Sequence, residues 1–245
     1  IDFAEQKKLL LVETKKNIAN SVSYDNIISQ TLHTIDELSV KANSLAKRLR
    51  DWHGLFLPEL DRAISDHEVY ARLIVEQSYE ELSSKYVSSQ AMGCEPSSAD
   101  SVAVASLARH VLETFRLRQS FTIYLESLLM NHCKNMTHLA GPTITARLLA
   151  CAGSLRRLAL LPSSTIQLLG AEKALFRHLK TGAKSPKHGY IINHQLLAQA
   201  SAKDRGKIAR SLADKLSLCA KLDFFGGEFK ADEYKKNLEQ RFAKK

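Results

Sequence analysis

An apolar repeat near the beginning of this 245-residue chain constrains its fold more than any other feature. Apolar or small residues recur there in alternating steps of three and four. The repeat consists of Ile28, Thr31, Ile35, Leu38, Ala42, Leu45, Leu49 and Trp52. This spacing forms a narrow stripe along one side of a helix, which must be buried against another helix. We expect the helix to end near Gly54, because Pro58 follows it closely.

A second apolar repeat predicts a partner for this helix. We expect a helix from about Ser98 to Met136 with the stripe Val104, Leu107, Val111, Phe115, Phe121, Leu125 and Leu128, which slips at residues 116–120. A shorter helical stretch, residues 58–86, and a Gly-, Pro- and Ser-containing loop lie between the two repeats. Two long striped helices joined by a tip predict an antiparallel coiled-coil hairpin. The periodicity alone fits two helices of an ordinary bundle nearly as well.

The rest of the chain predicts shorter helices. From Ala140 the apolar segments shorten, which indicates a domain boundary near residue 138. Ser201 to Asp204 resembles a capping box that opens a helix to about Leu222. A charged helix from Ala231 to Ala243 follows. The sequence therefore predicts an all-α protein in which a long coiled-coil hairpin precedes a compact helical domain.

Positive charge is concentrated in the last third of the chain. Residues 1–169 contain 18 Lys and Arg and 18 Asp and Glu, whereas residues 170–245 contain 17 and 8, which accounts for the whole net charge of +9. Such asymmetry favours a polyanionic partner, most often nucleic acid. We expect no membrane association, because no apolar run approaches the roughly 20 residues that span a bilayer and no basic helix has a broad apolar face.

The segment from Gly170 to His194 carries five of these cations and one acid. On a helical wheel, Lys173, Arg177 and Lys180 share a face with Phe176. The opposite, apolar face consists of Ala171, Ala174, Leu175 and Leu179. An aromatic ring within a basic stripe is typical of nucleic-acid contacts. A solvated helix with Phe176 packed under a loop is the alternative, and for a single helix it is favoured.

A second basic helix changes that balance. It places Lys207, Arg210 and Lys221 opposite a buried stripe of Ile208, Leu212, Leu216, Cys219 and Leu222. The loop between the two basic helices adds Lys184, Lys187, His188, Tyr190 and His194. Cations reach phosphates and rings stack on unpaired bases, so this combination predicts an RNA-binding surface.

Catalytic and metal-binding patterns are not evident. His132, Cys133 and His138 lie close together but do not have a zinc spacing. The sequence has no GxSxG, P-loop or GxGxxG segment. Its four cysteines form no CxxC pair, which suits a reducing, intracellular environment without disulfides. We therefore predict a protein that is not an enzyme and that has no cofactor and no metal.

Several segments together resemble the Nop domain family. They are MTHLAGPTITARLLACAGSLRRLALLPSSTIQLLGAEKALFRHL, SPKHGYIINH and RGKIARSLADKLSLCAKLDFFGG, with AKRLRDWHGLFLPEL upstream. The likeness covers roughly residues 20–228 and is most specific from Ala152 to Gly189. It is nearest to the archaeal members in box C/D small ribonucleoproteins, and the eukaryotic nucleolar members come next.

The resemblance implies an RNA-binding scaffold. Members of the family bind a kink-turn in a box C/D guide RNA once a small kink-turn-binding protein occupies it, and they self-associate through the coiled coil. A separate N-terminal domain holds fibrillarin, which uses S-adenosylmethionine to methylate the ribose 2′-hydroxyl of target RNA. An archaeal chain would be cytoplasmic and a eukaryotic one nucleolar. The alternatives are a coiled-coil dimerisation module and a spliceosomal-type Nop protein that binds small nuclear RNA.

The resemblance also implies domains and site residues. We expect residues 1–20 to be a remnant of the fibrillarin-binding domain, 21–137 the coiled coil with its tip, 138–228 the Nop domain and 229–245 a charged helix. With so short a remnant, we expect weak or no fibrillarin binding. The residues expected to contact RNA or the partner protein are Glu172, Lys173, Phe176, Arg177, His178, Lys180, Lys187, His188, His194, Lys207 and Arg210.

Overall fold

The computed structural model describes residues 3–87 and 91–242, and within them the chain is α-helical. The helices are α1 Phe3–Ser21, α2 Tyr24–His53, α3 Pro58–Ala63, α4 His67–Glu76, α5 Tyr79–Tyr86, α6 Ser98–His132, α7 Lys134–Ala140, α8 Pro142–Ala152, α9 Leu155–Leu160, α10 Ser163–Leu168, α11 Glu172–Thr181, α12 Gln195–Ala198, α13 Arg205–Phe225 and α14 Ala231–Phe242. A 3₁₀ turn spans Tyr190–Asn193. The described residues form no strand, so the all-α prediction is confirmed. None of the described helices is long and apolar enough to cross a membrane.

The chain divides into two compact units. Unit I contains the residues up to Leu32 and from Tyr124 onward, and unit II contains His33–Ile123. The long helices α2 and α6 each contribute residues to both units. The domain limits expected from the sequence stay predictions.

The core of unit II joins the two apolar stripes. Ala42, Ala46 and Leu49 of α2 belong to one buried cluster with Val104, Ala108, Val111, Leu112 and Phe115 of α6. Alanines within such a seam let two helix backbones approach closely, and the larger residues fill the space on either side. Within this unit the repeats predicted the buried faces of α2 and α6, but Trp52, which belongs to the predicted stripe, is 37 % exposed. The supercoil itself stays a prediction.

The tip of unit II differs from the single helical stretch that the sequence predicted. Residues 58–86 form α3, α4 and α5, because polar side chains begin new helices inside the stretch. The Asp66 carboxylate accepts the Val69 N–H at 2.8 Å, and Ser78 with Glu81 forms a complete capping box. Each cap satisfies N–H groups that would otherwise lack partners at a helix start.

Helix α13 forms the centre of unit I. Its buried stripe includes Ile208, Leu212, Leu216 and Cys219 as predicted, whereas Leu222 is half-buried. Helices α7, α9, α10 and α14 all pack against α13. The helix ends at Phe225, where Gly226 adopts a left-handed conformation with φ of 69°. Such a conformation favours glycine and closes the last helical turn.

Three predicted helix boundaries differ from the structure or lie outside the described residues. α6 ends at His132 instead of Met136, because the Asp223 carboxylate accepts the N–H groups of Asn135 and Met136 at 3.0 and 2.9 Å and starts α7 there. α13 begins at Arg205 instead of Ser201, since Ser201 and Asp204 bond to each other in the preceding turn. For α14, Ala243 lies outside the described residues.

Candidate nucleic-acid interface

Most residues of helix α11 are exposed. None of its residues is buried, and Lys173, Arg177 and Lys180 are all exposed. Phe176 is 68 % exposed, which confirms the prediction that it lies outside the core. On the opposite, apolar face, Leu179 is 71 % exposed and Ala174 is exposed as well, whereas Ala171 and Leu175 are half-buried. Cations, a ring and aliphatic side chains of α11 are therefore available to a partner.

The loop of residues 182–189 is bonded through its backbone to residues 167–169, which precede α11. The Gly189 N–H donates to the Gln167 carbonyl and the Tyr190 N–H to the Leu169 carbonyl, both at 2.8 Å. The Gln167 side-chain amide donates to the Lys187 carbonyl at 2.6 Å. Lys187 and His188 are therefore held beside the segment that leads into α11.

Two glycines permit this close approach. A Cβ on Gly189 would lie only 1.9 Å from the Leu169 carbonyl oxygen. Gly170 has φ of 89°, and its Cβ would lie 2.5 Å from the Tyr190 ring. Distances below 3.0 Å to backbone or ring atoms cannot be relieved by a small rotation, so both positions require glycine.

The loop also reaches the beginning of α13. A Cβ built on Gly206 would lie 3.6 Å from the Lys187 Cδ, which places the lysine stem over the first turn of α13. Lys207 and Arg210 are exposed on that helix. The structure thus joins the loop to both of its flanking helices. We name the surface of α11, residues 182–189 and residues 205–210 the basic surface.

His188 is half-buried within the basic surface. Burial lowers the pKa of its imidazole, and the positive charges of Arg205 and Lys187 lower it further. A neutral imidazole has one donor and one acceptor nitrogen. His188 is therefore suited to hydrogen bonds with hydroxyl or base groups, whereas the neighbouring lysines are suited to phosphates.

Three of the predicted site residues have partners within the protein. His194 donates from Nε2 to the Leu139 carbonyl at 3.0 Å and accepts the Leu196 N–H at Nδ1 at 3.2 Å. Burial lowers the pKa of this imidazole, in keeping with a neutral ring. His178 Nδ1 bonds to the Ala183 carbonyl. The Glu172 carboxylate accepts the Gly170 N–H at 2.7 Å. These contacts fix the ends of α11 and the segment after the loop.

Some residues that shape the basic surface were missing from the predicted site. Gln167, Gly170 and Gly189 hold the loop through contacts between residues about 20 positions apart. The Arg147 guanidinium lies 5.5 Å from the centre of the Tyr190 ring. The sequence signal for this packing was a glycine directly before an aromatic residue, as at Gly189 and Tyr190. That signal does not indicate which distant residues they contact.

The metal alternative gains no support from the described residues. His132 bonds to Asp25 at 2.8 Å and His138 to Asp232 at 2.6 Å, while Cys133 is buried. Burial raises the pKa of the Cys133 thiol to about 12, which disfavours the thiolate that metals bind. Within residues 3–87 and 91–242, no group of His, Cys, Asp and Glu could hold a metal ion.

Comparisons with known proteins identify the family. The family model described as "Nop: snoRNA binding domain, fibrillarin" matches residues 34–244. The chain belongs to the Nop family. This Nop-family chain is 38 % identical to an uncharacterized NOP5 family protein of Methanocaldococcus jannaschii over 98 % of its own length. It is 36 % identical to human nucleolar protein 56 over 82 % of its length, and 38 % identical to nucleolar protein 58 of Schizosaccharomyces pombe over 81 %.

The chain is shorter than these relatives. It spans 62 % of the archaeal protein, 37 % of human nucleolar protein 56 and 42 % of the yeast protein. A crystal structure of a fibrillarin/Nop5p complex contains a chain of the same fold, with a TM-score of 0.59 and 24 % identity. That match covers 98 % of this chain and 77 % of the other. The Nop-family fold therefore extends over nearly the whole chain.

Proposed function

We propose that this chain is an RNA-binding scaffold of a box C/D ribonucleoprotein. It recognises kink-turn RNA together with a small kink-turn-binding protein. The observation that carries the proposal is the basic surface, which is exposed, fixed by its own hydrogen bonds and located in a chain of the Nop family. An exposed set of cations around an aromatic ring fits RNA better than it fits a small-molecule substrate.

The residues of the basic surface have different roles in binding RNA. Lys173, Arg177 and Lys187 contact phosphates, and Lys180, Lys207 and Arg210 extend this contact. Such phosphate contacts set position and orientation without reading sequence. Phe176 stacks on an unpaired base or packs against the small protein. The neutral His188 bonds to a ribose hydroxyl or a base, whereas Glu172, His178 and His194 keep the surface in shape.

The proposal extends to the assembly. By similarity to the relatives, the full-length protein supports guide-directed ribose 2′-O-methylation by fibrillarin, which carries out the chemistry in place of this chain. The coiled coil pairs two copies. Exposed apolar side chains on α2 and α6, including Val40, Leu117 and Ile123, favour such an association. The corresponding eukaryotic location is the nucleolus, in line with the names of the eukaryotic relatives.

Ultraviolet cross-linking of the assembled complex tests which surface touches RNA. Kink-turn RNA, the small protein and this chain are mixed and irradiated, and the cross-linked peptides are mapped by mass spectrometry. We expect cross-links to peptides from residues 172–188, with Phe176 and His188 as the reactive ring positions. Cross-links confined to α1 or to unit II would contradict the proposed interface.

A further inference from the structure

A polar groove between α13 and α14 extends beyond the basic surface. Both helices lie in unit I, where Ala231 and Leu238 of α14 are buried. The groove has a volume of about 530 Å³, and its walls include Arg210, Lys215 and Arg241. This volume is within the range of roughly 300–1,000 Å³ that suits small ligands, so a ribose and its phosphate fit.

Positive charge exceeds negative charge among the side chains that line the groove. Asp214 is the one acid among its lining residues, against three cations. In the described part of the chain, no carboxylate forms an ion pair with Lys215 or Arg241. Gathering like charges costs free energy unless an anion binds among them.

The two cations are also held by aromatic neighbours. The Lys215 ammonium lies 4.8 Å from the centre of the Tyr234 ring, and Lys215 is half-buried. The Arg241 guanidinium lies 5.5 Å from the Phe242 ring. A ring face attracts a cation without neutralising it. Both charges are therefore positioned in advance and remain available to an anion.

We infer that the groove binds an RNA phosphodiester segment, as a continuation of the basic surface. Arg210 belongs to both, so a strand that leaves the basic surface meets Lys215 and Arg241 next. The neutral donors Ser211 and Asn237 can bond to phosphate or ribose oxygens. The inference rests on the proposed function, since it extends the same RNA contact.

The test uses the double variant Lys215→Gln plus Arg241→Gln. Glutamine removes the charge while keeping an aliphatic stem beside Tyr234, so α14 should stay docked, as checked by thermal unfolding. Affinity for the complex of kink-turn RNA and small protein is measured across a salt series. We expect a loss of about tenfold and a log–log salt slope shallower by about 1.4–1.8, which corresponds to two phosphate contacts.

The control is Lys235→Gln plus Lys236→Gln, which removes two exposed cations from α14 outside the groove. If both variants behave alike, the groove is not a contact, although the basic surface can still hold RNA. A benzophenone amino acid at Asn237 should cross-link to RNA; cross-links to the small protein alone would overturn RNA as the occupant. If the unsubstituted chain does not bind the complex, both the proposed function and this inference fail.

Discussion

Replacement of Lys173 and Arg177 by alanine should lower affinity for the complex of kink-turn RNA and small protein by about 10- to 100-fold, since a contact worth about 1.4 kcal/mol changes affinity tenfold. Both side chains are exposed on α11, so the protein loses two phosphate contacts without losing core packing. The log–log salt slope should become shallower by about 1.4–1.8. Fluorescence anisotropy with labelled RNA across a salt series measures both quantities.

A charge-matched control separates the loss of these two contacts from the general effect of a lower net charge on affinity. Lys41→Ala plus Lys47→Ala removes two exposed cations from α2 in unit II. This control should bind within about twofold of the unsubstituted chain, because neither lysine belongs to the basic surface and salt screens charges over roughly 10 Å. Equal losses in the two double variants would mean that α11 is not the contact surface.

The substitution Gly189→Ala should have the largest effect on the structure of the site. The added methyl would lie 1.9 Å from the Leu169 carbonyl oxygen, so the loop must move away from that backbone. The hydrogen bonds from Gly189 to Gln167 and from Tyr190 to Leu169 would be lost. We expect a destabilisation of unit I by about 3 kcal/mol, from overpacking and lost hydrogen bonds. Displacement of Lys187 and His188 should also reduce RNA binding more than tenfold.

Gly206→Ala is the matched control for that variant. Its Cβ meets the Lys187 Cδ at an ordinary 3.6 Å, and the residue lies within α13. Alanine is favoured over glycine in a helix by about 1 kcal/mol, so this variant should be as stable as the parent or slightly more stable. Thermal unfolding followed by circular dichroism measures both variants. An unchanged melting temperature for Gly189→Ala would show that the loop does not need this close approach.

Local periodicity was enough to predict the long helices. The stripes on α2 and α6 repeat every three or four residues, and within unit II their buried faces are the predicted ones apart from the exposed Trp52. The buried stripe of α13 followed from the same rule, with Leu222 only half-buried. Phe176 was placed outside the core because its position on the wheel lies among cations, and it is exposed. Each of these features depends on neighbours in sequence.

The features that the sequence did not predict depend on distant residues. Asp223 starts α7 although it lies almost 90 residues further along the chain, so no local pattern announces the break after His132. The wheel placed Leu179 on an apolar face, but such a face is buried only where another element packs on it, and Leu179 is 71 % exposed. The return of the loop to Gln167 likewise depends on the tertiary fold. The family resemblance indicated α11 and the loop after it as the surface, without giving these contacts.

We propose that the chain recognises kink-turn RNA and the small kink-turn-binding protein together. A band-shift assay with kink-turn RNA tests it most directly, using the RNA alone, the small kink-turn-binding protein alone and the two together. We expect a stable, salt-sensitive complex with the pair and much weaker binding to either component alone. Equally tight binding to bare RNA, or no binding to the pair, would contradict it.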